Sequence, residues 1–302
     1  MASRPWIGLI GVAMLCSPAP ASSDPGTTPN CTLEPGPIRT VTRIIDGETV
    51  VLDDGKAVRL IGALSPRARD ADAAPGAWPP EIDATKALSD LVLAKRVKLA
   101  FSGRRSDRYG RQLAHVFVLE NGREDWIQGA LLRGGFARAY GLPDSFACAR
   151  ELMANEAEAR RSRAGLWSNG IYRTLPAEHP AEIMKQRGKY VRVRGSLVSV
   201  DRTKSATYLN FSNDWRSDFT ARIDKKVLTA NPEFDKSLDA LANTTVVVRG
   251  WIERRNGPMI DIADPSQLEP PDAQPTEPAA PKEARPAPPE GVEPSAVNLK
   301  SL

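Results

Sequence analysis

Twice along this chain of 302 residues the apolar pattern spells the same order: three short strands, one helix, then two more strands. In the first pass, strands are read at 41–45, 49–52 and 57–63, with turns at Asp46-Gly47 and Asp53-Asp54-Gly55. A helix follows over 81–95, where Ala84, Ala87, Leu88 and Leu91 share one face. Strands at 97–101 and 113–119 close the unit. In the second pass, strands fall at 190–200, 208–211 and 219–223. Asn231 then caps a helix with Pro232 at its first position and Phe234, Leu238 and Leu241 on one face. Strands at 245–253 and 259–262 flank an Asn256-Gly257 turn.

That order is the one a five-stranded OB barrel uses, with its helix between the third and fourth strands. The expected fold is therefore α+β, mainly β, with two tandem OB-type barrels. The first carries extra C-terminal helices, at about 125–133 and from Asp144 to Gly165, the latter burying Phe146, Ala149, Met153 and Ala157. The expected division is a signal peptide at 1–21, an irregular arm at 22–38, the first barrel at 39–168 and a linker at 169–188. The second barrel spans 189–269, and a Pro-, Ala- and Glu-rich tail, expected to be disordered, spans 270–302.

Arg4, the short apolar run 6–15 and Ala19-Pro20-Ala21 read as a secretory leader. The run is too short to span a bilayer, and no transmembrane helix is expected in the mature chain. The protein is therefore expected to be exported, periplasmic or extracellular. Removing the leader leaves Cys31 and Cys148, an even pair that predicts one disulfide in an oxidising compartment. The chain-entropy account gives a loop of that length about 4–5 kcal/mol. With two histidines and no CxxC, a structural zinc site is not expected. The net charge of +4 allows nucleic acid as a partner without demanding it.

Three patches of the first unit carry chemistry: Asp46-Gly47-Glu48-Thr49-Val50; Val58-Arg59-Leu60-Ile61 with Ser65-Pro66; and Arg105-Ser106-Asp107-Arg108-Tyr109-Gly110-Arg111. Gly135-Phe136-Ala137 and Gly165-Leu166-Trp167 follow. In this order the patches resemble the staphylococcal nuclease (thermonuclease) family, from about residue 38 to 167. The resemblance implies a calcium ion held by two acidic residues, a glutamate base after the T-P or S-P step, and two arginines clamping the scissile phosphate. Arg59 and Arg111 stand at the clamp positions, and Glu48 stands at one metal-ligand position. Leu64 falls where the second carboxylate ligand is implied, and Arg67 where the general base is implied. Leucine offers a metal no side-chain oxygen, and arginine keeps its proton in proteins. Losing a general base costs roughly 10²–10⁴ in rate. Asp70 and Asp72 follow on the same loop, with nothing local to place them at the phosphate.

What remains is an anion site. Arg59, Arg67 and Arg111, with Tyr109, suit holding a phosphate. The alternative for Arg67 and Arg111 is a rim salt bridge with Glu48 or Asp107. No resident cofactor is expected, and calcium only with a working nuclease site. Three functions stay open: a phosphate or nucleic-acid binder without efficient hydrolysis, an active phosphodiesterase with a rearranged metal site, and an envelope scaffold with a protein partner. In the second unit, Tyr190, Tyr208, Phe211, Trp215 and Phe219 beside Arg192, Arg194, Arg202, Lys204 and Arg216 form an aromatic-plus-basic mix suited either to a core or to a strand-binding face.

Overall fold

A computed structural model describes residues 29–141, 146–168, 170–214 and 216–269. The leader, Asp144 as a cap, Trp215 and the tail from 270 lie outside the described residues.

The first unit runs β1 (Glu34–Asp46), β2 (Thr49–Leu52), β3 (Ala57–Leu60), β4 (Gly62–Leu64), α1 (Pro79–Val92), β5 (Arg96–Phe101), β6 (Gln112–Glu120), β7 (Arg123–Trp126), α2 (Ile127–Arg133), β8 (Arg138–Tyr140) and α3 (Ala149–Ser162). Its sheet has the order β3-β2-β1-β5-β6-β7. Strand β3 also pairs in parallel with β6, so that β1, β2, β3, β5 and β6 close on themselves, as an OB-fold requires. Val41, Val50, Leu60, Val97, Leu99 and Val116 fill the interior, and α1 covers one end with Ala84, Leu88 and Val92.

Four details differ from the sequence expectation. The arm at 22–38 is not irregular throughout: β1 begins at Glu34 and pairs with β5 from Glu34–Phe101 to Thr40–Arg96, which satisfies the backbone groups of both. The strand read over 57–63 is two strands, broken at Gly62, whose φ of 87° turns β4 away to pair with β8. The second predicted helix begins as strand β7, which pairs with β6, and turns helical only at Ile127. The third helix starts at Ala149, and its buried face is Leu152, Glu156, Ala159 and Arg160, with Ala149, Met153 and Ala157 only half-buried. Polarity-based reading places Glu156 and Arg160 in solvent; their partners, described below, lie far away in sequence.

The Cys31–Cys148 disulfide is present, closing a separation of 117 residues with Cα atoms 5.2 Å apart. Peptide mapping without reduction is expected to recover the two cysteines in one linked fragment.

His115 lies inside the β6 face of this core. Trp126 Nε1–H donates to its Nδ1 at 3.3 Å, so the proton of the neutral ring sits on Nε2, which is buried and has no hydrogen-bond partner among the described residues. Burial lowers its pKa to about 4 from an ordinary 6.5. Between those values the unfolded chain binds a proton that folded His115 refuses. Stability is therefore expected to fall as pH drops from 6.5 to 4, by about 3 kcal/mol from this group. His115→Leu should flatten that limb in urea unfolding measured across the window.

The second unit runs β9 (Leu175–Pro176), α4 (Pro180–Met184), β10 (Tyr190–Ser196), β11 (Ser199–Arg202), β12 (Ala206–Asn210), β13 (Thr220–Asp224), α5 (Lys225–Ala230), α6 (Pro232–Ser237), β14 (Thr245–Trp251), β15 (Glu253–Arg255), β16 (Gly257–Ile262) and β17 (Leu268–Glu269). In place of one five-stranded sheet it has a sheet in the order β17-β14-β10-β9 and another in the order β11-β12-β13-β16-β15. The long strands expected at 190–200 and 245–253 each break and pass from one sheet to the other. The expected linker supplies β9, which pairs with β10. Tyr190, Phe211 and Phe219 are buried and Tyr208 is half-buried. Phe211 and Phe219 stack 5.0 Å apart within this unit's core. Phe211 and Phe219 therefore belong to the interior rather than to a strand-binding face. Arg192 is buried too, and Arg202 is held by Asp235 and Asp239.

The two units share a buried ionic layer. Glu156 of α3 pairs with Arg160 and accepts from Arg249 Nη1 of β14 at 3.0 Å and from Ala139 N at 2.5 Å. Glu269 pairs with Arg249, with Arg192 at 2.9 Å and with Arg160 at 3.6 Å. Burial pushes the Glu156 carboxyl up, but the charges of Arg249 and Arg160 outweigh it and hold it below the usual carboxylate range. The same balance, with Arg249 and Arg192 as the partners, holds Glu269 low. Tyr140, Tyr190 and Trp251 meet edge-on beside this layer at 5.2–6.0 Å.

Candidate functional site

The site begins at the Asp46-Gly47 turn. Asp46 Oδ1 accepts from Glu48 N at 3.0 Å, tightening the turn. A Cβ on Gly47 would lie 2.2 Å from Ser65 Oγ, so only glycine lets the β1–β2 turn meet the loop after β4. That contact brings Glu48 under residues 65–67.

Glu48 is 0% exposed. Its Oε2 accepts from Ser65 N at 3.0 Å, and its Oε1 takes Arg59 Nε at 3.1 Å and Arg67 Nη2 in a shorter contact. Arg67 sits in the site, half-buried, with its Nε buried and without a hydrogen-bond partner among the described residues. Burial alone would lower the Arg67 pKa; the charges of Glu48 and Asp46 outweigh it and raise it. Arg67 is thus a fixed cation.

Arg111 arrives by a different route. The β3–β6 pairing sets Arg59 opposite Leu113, two residues beyond Arg111. Asp107 builds the loop: its Oδ1 accepts from Tyr109 N at 2.9 Å and from Arg111 N at 3.0 Å, and its Oδ2 takes Arg111 Nε at 2.8 Å. Burial pushes the Asp107 carboxyl up, but the Arg111 hydrogen bond prevails and holds it low. Arg111 Nη1 then donates to Thr49 Oγ1 at 3.3 Å, and Thr49 pairs with Arg59 across β2–β3. Tyr109 is 69% exposed, with the guanidinium carbons of Arg108 and Arg111 4.8 and 5.6 Å from its ring centre. The expected residues Glu48, Arg59, Arg67 and Arg111 therefore converge, with Tyr109 on the rim, and both rim salt bridges also form. Sequence reasoning missed Thr49, a buried hydroxyl whose role only the pairing reveals.

The donor set does not fit calcium. Leu64 is a buried residue of β4 with no side-chain oxygen, and Glu48 has both oxygens occupied by arginines and a backbone N–H. Calcium wants six to eight oxygens. Asp70 is turned toward Arg138 and Tyr172, and Asp72 is exposed beside Lys189, so neither substitutes. Among the described residues no group of three or more His, Cys, Asp or Glu could hold a metal. What the arrangement can do is present to an anion the guanidinium N–H groups that Glu48, Asp107 and Thr49 leave over.

Residues 57–169 match the family described as Staphylococcal nuclease homologue, a span that includes Arg59, Leu64, Arg67 and Arg111 and begins after Glu48. The chain is 33% identical over 140 residues to Endonuclease YncB of Bacillus subtilis (strain 168), covering 45% of this chain and 64% of that protein. It is 29% identical over 132 residues to Thermonuclease of Staphylococcus hyicus, covering 43% and 75%. It is 31% identical over 140 residues to the SPbeta prophage-derived endonuclease YokF of Bacillus subtilis (strain 168), covering 45% of each. The chain thus spans less than two thirds of the first of these relatives. The stretch from 57 to 169 is a staphylococcal-nuclease-like domain, and the closed five-stranded sheet that carries its arginines also takes in β1 and β2, which precede the matched residues.

Proposed function

We propose that this protein is an exported, phosphate-binding member of the nuclease-like group that holds a nucleic-acid strand, or a similar phosphate-bearing ligand, without efficient hydrolysis. One observation carries the reading: Arg67, where the resemblance implies a general base, is locked with Arg59 on Glu48, where it implies a metal ligand. An arginine cannot take a proton from water, and a carboxylate held by two guanidiniums is a poor cation ligand. Arg59, Arg67 and Arg111 would hold the phosphate, and Tyr109 would offer its exposed ring to a base. The Cys31–Cys148 disulfide supports an oxidising compartment. The strand and helix order of 189–269 supports an OB-type assignment for the second unit as well.

Fluorescence anisotropy with a labelled single-stranded deoxyoligonucleotide in EDTA tests this. Wild type should bind, and Arg111→Ala should weaken binding roughly 10–100-fold, the worth of a charged hydrogen bond of about 1.5–3 kcal/mol. Calcium-dependent hydrolysis by pure wild type, abolished by Arg111→Ala, would overturn the reading. The retained Arg59 and Arg111 favour a second reading, an active phosphodiesterase with a rearranged metal site. It requires calcium binding that depends on Glu48, which calorimetry measures directly.

A further inference from the structure

The turn that carries Arg67 is built around Asp70. Asp70 N donates to Arg67 O at 2.8 Å, and Asp70 Oδ2 accepts from Arg67 N at 3.2 Å. The same oxygen accepts from Arg138 Nη2 at 3.0 Å and from Tyr172 Oη at 2.8 Å. Asp70 is buried, so these bonds face little competition from water.

Two of the remaining grips come from the second unit. Lys189 Nζ donates to Asp70 O at 2.9 Å and lies 3.3 Å from Asp72 Oδ2. Arg138, which pairs with Leu64 across β4–β8, sends its Nη1 to Tyr190 O at 2.6 Å. Lys189 is itself fixed by Ile252: Gly188 N donates to Ile252 O at 2.8 Å and Ile252 N to Lys189 O at 3.1 Å. A continuous path of hydrogen bonds thus runs from β14–β15 of the second unit, through Lys189 and Asp70, to the backbone of Arg67.

We infer that Lys189 is a positioning residue for the phosphate site: the second unit completes the site by clasping the 67–72 turn and so setting where the Arg67 guanidinium points. This deepens the proposed function and rests on it for the ligand. A free turn of this length samples many conformations, and two tethers from another unit remove that freedom before the anion arrives. Lys189 acts through Asp70, since its Nζ is engaged by Asp70 O and Asp72 Oδ2.

A double-mutant cycle in the full chain tests it. With the labelled deoxyoligonucleotide in EDTA, Lys189→Met should weaken binding roughly fivefold in the wild-type background and less than twofold when Arg67 is already alanine. Equal losses in both backgrounds would overturn the inference, because Lys189 would then contact the strand itself. So would wild-type affinity in Lys189→Met. A second measurement needs no ligand. In ¹H–¹⁵N spectra the Arg67 Nε–H cross-peak should shift or broaden in Lys189→Met while the His115 Nε2–H peak stays in place. An unmoved Arg67 peak overturns the inference even if the chain binds no oligonucleotide, whereas absent binding with a moved Arg67 peak overturns only the proposed ligand.

Discussion

Glu156→Gln is expected to destabilise the folded chain by about 3–5 kcal/mol in denaturant unfolding, the cost of unbalancing a buried ion cluster. The substitution barely changes shape, so the effect comes from the lost charge and from an amide N–H that faces donors where a carboxylate oxygen accepted. In the native layer Arg160, Arg192 and Arg249 face Glu156 and Glu269, all of them buried. Neutralising Glu156 leaves three guanidiniums around one carboxylate. It also leaves Arg249, which is 1% exposed, with its Nη1 on a neutral acceptor. Adding Arg160→Met to Glu156→Gln restores the original excess of one positive charge, and the double variant is expected to be more stable than the single one. A double variant less stable than Glu156→Gln would count against the charge-balance account. The pH dependence follows from the depressed carboxyls. Glu156 and Glu269 contribute stability that is fully present above the ordinary carboxylate range and is lost as pH falls through their lowered folded pKa values. That loss comes at lower pH than the His115 limb, so the two can be separated.

Leu64→Asp combined with Arg67→Glu is expected to raise calcium-dependent hydrolysis of DNA at least about 100-fold over wild type, the lower range of what a general base supplies. Both changes act on Glu48. Removing Arg67 frees one of the contacts on Oε1, and an aspartate at the end of β4, next to the Ser65 that donates to Glu48, adds an oxygen donor. Glu48 keeps its contact with Arg59, so the gain is expected to fall short of a full nuclease. A thermal readout accompanies activity. The aspartate introduced in place of Leu64 would be a buried carboxylate without a partner until calcium binds. Calcium should therefore raise the melting temperature of the double variant and leave that of wild type unchanged. Equal calcium-dependent activity in wild type and double variant would show that the wild-type site works as it stands.

Much of the first unit was legible because its signals are local. The turns at Asp46-Gly47 and Asp53-Asp54-Gly55, the period of α1 and the Asp107–Arg111 loop each depend on residues a few positions apart. The family patches are contiguous, so Glu48, Arg59, Leu64, Arg67 and Arg111 could be placed before any coordinate. The two cysteines needed only counting. In the second unit the turn at Asn256, with φ at 66°, came out where its Asn-Gly step put it.

By itself, then, the sequence determined the main run of strands and helices in the first unit, the disulfide pair and the contiguous patches that supply the candidate site residues, since each is written in neighbouring residues or a simple count. Tertiary structure alone decided what those residues do. Glu48 is spent on two arginines because Gly47 lets the turn close onto Ser65. Glu156 and Arg160 face inward because Arg249, 93 residues beyond Glu156, meets them there. Phe211 and Phe219, at the ends of β12 and β13, meet in the core of the second unit, and Tyr190 is buried against Tyr140 and Trp251. Polarity along a chain predicts water or interior, whereas a buried charge is set by a partner that can lie anywhere, and only the folded chain names it.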